Sequence, residues 1–158
     1  FSQLIHALDE LHNEFQQVAR VSPITVSQAV SGKRVYSGII DSFRNEDAYA
    51  LPVVDHIIEK SPYPDLVHNE QHHLQYPSDL PIDVRKRIEH AAREIHNALG
   101  LSGYSLIEFL VTPTALYIHN IEPRPKLEPG APFMHALEVV GVTRPQLLDH
   151  LFALTLKK

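Results

Sequence analysis

Residues 103–122 read Gly-Tyr-Ser-Leu-Ile-Glu-Phe-Leu-Val-Thr-Pro-Thr-Ala-Leu-Tyr-Ile-His-Asn-Ile-Glu, and this stretch decides the fold. Two apolar runs, residues 104–111 and 115–121, flank a short turn that contains Pro113. Because both runs are rich in β-branched and aromatic residues, they predict the two strands of a β-hairpin.

Each predicted strand carries a carboxylate, Glu108 on the first and Glu122 just past the end of the second. Antiparallel pairing can bring such residues close together. Two acids on adjacent strands, followed by the proline-rich loop 123–132, could hold a hard cation such as Mg²⁺. An exposed sheet face with two unrelated acids explains the same pattern.

The composition limits which classes of protein this chain can belong to. The 158 residues suit one domain, 1–158, and 44% hydrophobic with 21% charged residues is typical of a soluble globular protein. A net charge of −5 argues against nucleic-acid binding. The absence of cysteine excludes disulfides and thiol catalysis.

The sequence shows no apolar run of membrane-spanning length and no signal peptide, so we expect a cytoplasmic protein. It begins with Phe1 rather than methionine, so we expect a piece of a longer protein. A homodimer is compatible with the sequence.

Upstream of the hairpin, residues 1–20 have the spacing of an amphipathic helix. Residues 24–30 and 34–40 predict strands joined by a turn at 31–33, and the polar segment 41–47 predicts another turn. Residues 48–59 predict a third strand, which Pro52 restricts to a sheet edge or a bulge. Residues 61–80 predict a long polar loop.

Three further helices are predicted. One covers 81–99 and ends at Gly100, a short one covers 133–140, and a last one begins after Thr143 as its cap. Since hairpins dominate and strands do not alternate regularly with helices, the order predicts an α+β domain. Its sheet is mostly antiparallel, with helices covering one face.

Several segments together resemble the C-terminal half of the ATP-grasp domain, in its D-alanine–D-alanine ligase branch. They are Ser31-Gly32-Lys33-Arg34, Leu51-Pro52-Val53-Val54, the hairpin, and Gly-Val-Thr-Arg-Pro-Gln-Leu-Leu-Asp at 141–149. The likeness covers most of the chain. It implies an ATP-dependent carboxylate–amine ligase that works through an acyl phosphate, with ATP and Mg²⁺ as cofactors and an amino-acid-like substrate. The loop 61–80 would lie over the nucleotide.

The resemblance also assigns site residues. The metal positions read Glu108, Asn120 and Glu122, with acid and amide exchanged on the second strand, and His119 replaces the first Asn of the family motif. The positions that face the nucleotide are Ser27, Gln28, Val30 and Arg34, and those of the phosphate or substrate loop are Arg124 and Lys126.

Several positions depart from the family pattern. Leu106 stands where the family has an arginine that stabilises developing charge, and Ser27 and Arg34 stand where it has glutamates. Ala131 and Pro132 replace residues that meet the second substrate. The family's glycine-rich loop and phosphate-binding lysines lie upstream of this half, so we expect the isolated chain to be inactive. A degenerate, non-catalytic domain used for binding or scaffolding is the alternative.

Eleven histidines raise a third interpretation. The spacing of His68, His72 and His73 could ligate a transition metal if the segment were helical. The prolines at 62, 64 and 77 favour a loop instead.

Overall fold

The computed structural model describes residues 28–58 and 72–156, together with His12 and Phe15. Within these ranges one six-stranded antiparallel sheet has the order β4-β3-β1-β5-β6, and β2 also pairs with β1. The strands are β1 Lys33–Phe43, β2 Glu46–Ala50, β3 Val54–Ile58, β4 His72–Gln75, β5 Tyr104–Val111 and β6 Leu116–Glu122. The helices are α1 Ile82–Ala98, α2 Pro132–Val139 and α3 Arg144–Leu156.

Strand β1 is the centre of the sheet. Residues 33–40 of β1 pair with β5 on one side, while β3 and β2 share the other side of β1. The two shorter strands are separated at residues 51–53, where the Leu51 N–H donates to the Gly38 carbonyl at 2.8 Å. The prediction of one continuous strand over 48–59 is therefore wrong, because Pro52 has no N–H to continue the ladder.

The hairpin between β1 and β2 has a two-residue turn, Arg44 and Asn45, with φ values of 49° and 65°. Two successive left-handed residues match the right-handed twist of the flanking strands. The predicted turn at 41–47 is correct in place but too long, since both strands extend into it.

Two other predictions near the sheet also need correction. Residues 72–75 form β4 on the outer side of β3, within the predicted loop. Residues 28–30, the described end of the predicted strand 24–30, have no strand hydrogen bonding. Residues 24–27 of that strand, residues 61–71 of the loop and the helix 1–20 lie outside the described residues, apart from His12 and Phe15, which have helical backbone.

The three predicted helices are confirmed within a residue or two. Helix α1 ends at Ala98, and Gly100, two residues later, has a left-handed backbone with a φ of 61°. Before α3, the Thr143 N–H donates to Gln146 Oε1 at 2.8 Å, and the Gln146 N–H lies 3.5 Å from Thr143 Oγ1. This reciprocal pair is a capping box. None of the helices in the described ranges is long and apolar enough to cross a membrane.

Helices cover both faces of the sheet, so the prediction of one covered face is wrong. On one face α1 packs on a cluster that includes Val35, Ile39 and Phe109. On the other, α2 and α3 pack on a cluster that includes Tyr36 and Ile40. Successive residues of a strand point to opposite faces, and β1 is apolar at both alternations. A central strand buried on two sides therefore needs two helical layers.

Candidate functional site

The face that carries α2 and α3 is apolar at one end and polar at the other. Register places Tyr36 opposite Glu108, and Glu108 opposite Asn120. Arg34 and Glu122 are two positions away on their strands, so all five share one face. We call this set, with His56 and His119, the polar face.

An ion pair lies at the centre of the polar face. Arg34 Nε is 2.8 Å from Glu108 Oε1, and the two side chains are only 14% and 9% exposed. Opposite charges this close together in a partly buried site attract each other more strongly than an exposed pair does. Arg34 Nη2 also lies 3.4 Å from His119 Nε2, so the guanidinium links β1 to both strands of the hairpin.

A β-bulge sets the position of His119. Glu108 pairs with Asn120 while Phe109 pairs with Ile118, which leaves His119 as the additional residue of β6. A bulge re-aims a side chain relative to a regular strand. Here it allows His119 to contact Arg34 from the same face as Asn120.

Tyr36 and His56 join the polar face although the sequence analysis did not identify them. Tyr36 Oη lies 3.1 Å from His56 Nδ1. Burial raises the pKa of Tyr36 well above its usual range, and the nearby Glu108 carboxylate raises it further against the opposing charge of Arg34. Tyr36 is therefore a neutral hydroxyl at physiological pH. Its position two residues after Arg34 was the available signal.

The three predicted metal ligands lie close together in register, but two are already engaged. Glu108 contacts Arg34, and Asn120 Oδ1 accepts a hydrogen bond from the Ile121 N–H at 2.9 Å. Glu122 is half-buried. Within residues 28–58 and 72–156, no group of three or more His, Cys, Asp or Glu could hold a metal ion. Carboxylate and amide oxygens are ligands that Mg²⁺ prefers, but the Arg34 guanidinium beside Glu108 opposes the binding of a second cation there.

Of the residues expected to face a nucleotide, Arg34 lies on the polar face. Gln28 is exposed and Val30 half-buried in the segment before β1, and Ser27 lies outside the described residues. Arg124 and Lys126 are exposed in the loop after β6. Lys126 Nζ lies 3.6 Å from Glu128, a surface pair that contributes little.

Leu106 is 3% exposed and belongs to the apolar cluster with Phe133 and Met134. It occupies the end of the face that α2 covers. Its side chain supplies no hydrogen-bond donor, so it cannot provide the charge stabilisation that the resemblance leads us to expect at this position.

The histidine cluster does not have the backbone that metal ligation was expected to need. His72 and His73 are consecutive residues of strand β4, so the segment is not helical there. His73 is exposed, and His68 lies outside the described residues.

A family profile described as D-ala D-ala ligase C-terminus matches residues 3–153. The chain belongs to this family. Among curated members, it is 26% identical over 163 residues to the vancomycin/teicoplanin A-type resistance protein VanA of Enterococcus faecium, covering 97% of this chain and 46% of that protein. It is 27% identical to the D-alanine–D-alanine ligase of Geobacillus kaustophilus, covering 85% of this chain and 37% of that protein.

Solved structures of D-alanine–D-alanine ligases share the fold. The ligase of Bacillus anthracis, in a crystal structure with ATP, superposes with a TM-score of 0.75 at 16% identity, covering 98% of this chain and 50% of that one. The likeness to the C-terminal half of the ligase, predicted from sequence, is thus confirmed. The D-ala D-ala ligase C-terminal domain described here spans about half the length of the relatives it matches.

Proposed function

We propose that this domain is the C-terminal half of the ATP-grasp unit of an ATP-dependent carboxylate–amine ligase, and that ATP binds against the polar face. The observation that carries the proposal is the Arg34, Tyr36, Glu108 and Glu122 constellation on one face of the sheet, in a fold shared with a ligase solved with ATP. The fold likeness alone would not assign the ligand.

The side chains suit an anionic ligand that has a polar edge. Arg34 is fixed by Glu108, so its remaining guanidinium donors are held in one orientation. The neutral Tyr36 hydroxyl supplies a donor and an acceptor. Arg124 and Lys126, exposed just past β6, could meet phosphate or carboxylate groups.

Mg²⁺ is part of the proposal. Glu108, Asn120 and Glu122 would hold it, and when bound it would offset the charge of the nucleotide phosphates. Glu108 would first have to give up its contact with Arg34. For this reason we expect the metal to bind together with the nucleotide rather than before it.

The chemistry would use parts outside this chain. The acyl phosphate and the amine that displaces its phosphate require an amino-acid-like substrate and the upstream half of the domain, in a protein we place in the cytoplasm. Leu106 supplies no charge stabilisation, so we expect the isolated chain to show no ligase turnover. The comparisons do not favour the non-catalytic alternative.

An ATP titration followed by backbone amide shifts tests the proposal. We expect shifts at residues 34–36, 108 and 120–122, with adenosine alone giving weaker ones because it lacks the phosphates. Glu122→Gln should weaken ATP binding in the presence of Mg²⁺. Glu94→Gln, on an exposed part of α1 packed against the other face, is the matched control and should leave it unchanged. Absence of shifts in both this chain and a longer protein containing the upstream half would contradict the proposal.

A further inference from the structure

The Arg34–Glu108 contact places a fixed positive charge where a divalent cation would need a ligand. Glu108 is 7% exposed as a residue, and its Oε1 is already 2.8 Å from Arg34 Nε. A guanidinium cannot lose its proton in a protein, so this cation is present at every working pH.

The charges around the pair decide how strongly a metal could compete. Two carboxylates, Glu108 and Glu122, and one guanidinium, Arg34, lie on the polar face, with Asn120 neutral. His56, His119 and the neutral Tyr36 are the other titratable groups there. A metal at Glu108 would gain one carboxylate but stand within a few ångströms of Arg34, where like charges repel strongly in a partly buried site.

We propose that Arg34 is a built-in counter-ion that competes with divalent metal for Glu108, so that the polar face does not bind such a metal until an anionic ligand draws Arg34 away. The identity of the anionic ligand rests on the proposed function. The competition between Arg34 and a divalent metal for Glu108 concerns this chain alone. It makes Arg34 a positioning residue that couples metal binding to ligand binding.

A metal at Glu108 would have to displace a guanidinium 2.8 Å from the carboxylate and would then lie beside that guanidinium's positive charge. We therefore expect removal of the guanidinium to strengthen metal binding by about tenfold or more.

The test uses Mn²⁺ alone as the probe, since it shares the oxygen ligands of Mg²⁺ and broadens nearby amide signals. Arg34→Gln should lower the Mn²⁺ concentration for half-maximal broadening at residues 108 and 120–122 at least tenfold. Arg34→Lys keeps the charge and should resemble the parent chain. Arg87→Gln removes an exposed arginine of α1, which packs on the other face of the sheet, as a matched control and should change the value less than twofold.

The double variant Arg34→Gln, Glu108→Gln should lose the increase in Mn²⁺ affinity that we expect for Arg34→Gln alone. Equal Mn²⁺ affinities for the parent chain and Arg34→Gln, or a gain that survives in the double variant, would overturn the proposal. If Arg34→Gln does not fold, the parent chain still tests the proposal. Signal broadening centred on residue 108 at low Mn²⁺ concentration, without any anion present, would contradict the proposal. Failure of the ATP titration alone would sink the proposed ligand and leave the Mn²⁺ comparison intact.

Discussion

His96 and Asp41 are joined by a hydrogen bond of 2.9 Å between Nε2 and Oδ1, across 55 residues of sequence. The other ring nitrogen of His96 lies 2.7 Å from Ser105 Oγ, and His96 is 1% exposed. Asp41 Oδ2 also accepts the Gly103 N–H at 2.6 Å. The imidazole thus connects α1 to the end of β1 and the start of β5.

We expect His96→Ala to lower the free energy of unfolding by about 2–4 kcal/mol, since it leaves a cavity and two polar groups without their partner. Urea unfolding measures the change. His90→Ala, an exposed position on the same helix, is the control and should stay within about 0.5 kcal/mol of the parent chain. Similar losses for both variants would show that the His96 contacts carry no special stability.

Gly38→Ala should destabilise the domain by about 1–3 kcal/mol through overpacking. An added Cβ would lie 2.8 Å from Leu51 Cδ1 and 3.0 Å from the Phe133 ring. Thermal unfolding of Gly38→Ala, Leu51→Val and the double variant measures the coupling. Because Leu51→Val makes room for the methyl group, the double variant should lose less than the sum of the two single losses. Strict additivity would contradict the close approach of these residues.

Lys33 should make the domain sensitive to alkaline pH. Burial lowers the pKa of Lys33, but hydrogen bonds to Asp55 and Asp79 and attraction to both outweigh it, so the pKa lies above the ordinary 10.5. A raised pKa means that the stabilisation is complete below pH 10.5 and is lost as the pH rises through the higher folded value.

The comparison variant for this prediction is Lys33→Met. At pH 7 it should cost about 1–3 kcal/mol, because Asp55 is fully buried and its Oδ2 lies 2.7 Å from Lys33 Nζ. Adding Asp55→Asn should recover part of that loss. Urea unfolding between pH 9 and 11.5 should show a smaller decline for Lys33→Met than for the parent chain, and equal declines would argue against the prediction.

Thr143→Ala should cost about 1 kcal/mol by removing the capping box of α3. Thermal unfolding and helical circular dichroism measure it. Thr114→Ala, an exposed turn position between β5 and β6, should have no comparable effect. A loss of similar size in both would indicate a general sensitivity to threonine removal rather than a cap.

The parts of the fold that follow from local pattern could be predicted. The hairpin, α1 and the cap at Thr143 depend on residues close in sequence, and each lies where its pattern indicated. Strand β4 could not be predicted in this way, because His72–Gln75 gains its hydrogen bonds from β3 rather than from its own composition. The prediction of helices on one face did not account for β1, whose residues are apolar on both faces of the sheet and need a helical layer on each.

The candidate site divides in the same manner. Glu108 and Glu122 follow from the hairpin pattern and Asn120 from the family resemblance, and the face that the three share is what antiparallel pairing predicts. The pairing of Arg34 with Glu108 required the register of β1 against β5, which involves segments more than 70 residues apart. Long-range register is a property of the whole sheet, and no short motif encodes it.

The central position of β1 has a consequence for measuring all these variants. The amide protons of residues 35, 36, 39 and 40 lie in a strand paired with neighbours on both sides and covered by helices above and below. Local opening cannot expose such protons to solvent, so they should exchange with deuterium only when the whole domain unfolds. Their exchange rates in plain buffer would therefore report global stability without denaturant, while the edge strands β4 and β6 exchange through smaller fluctuations.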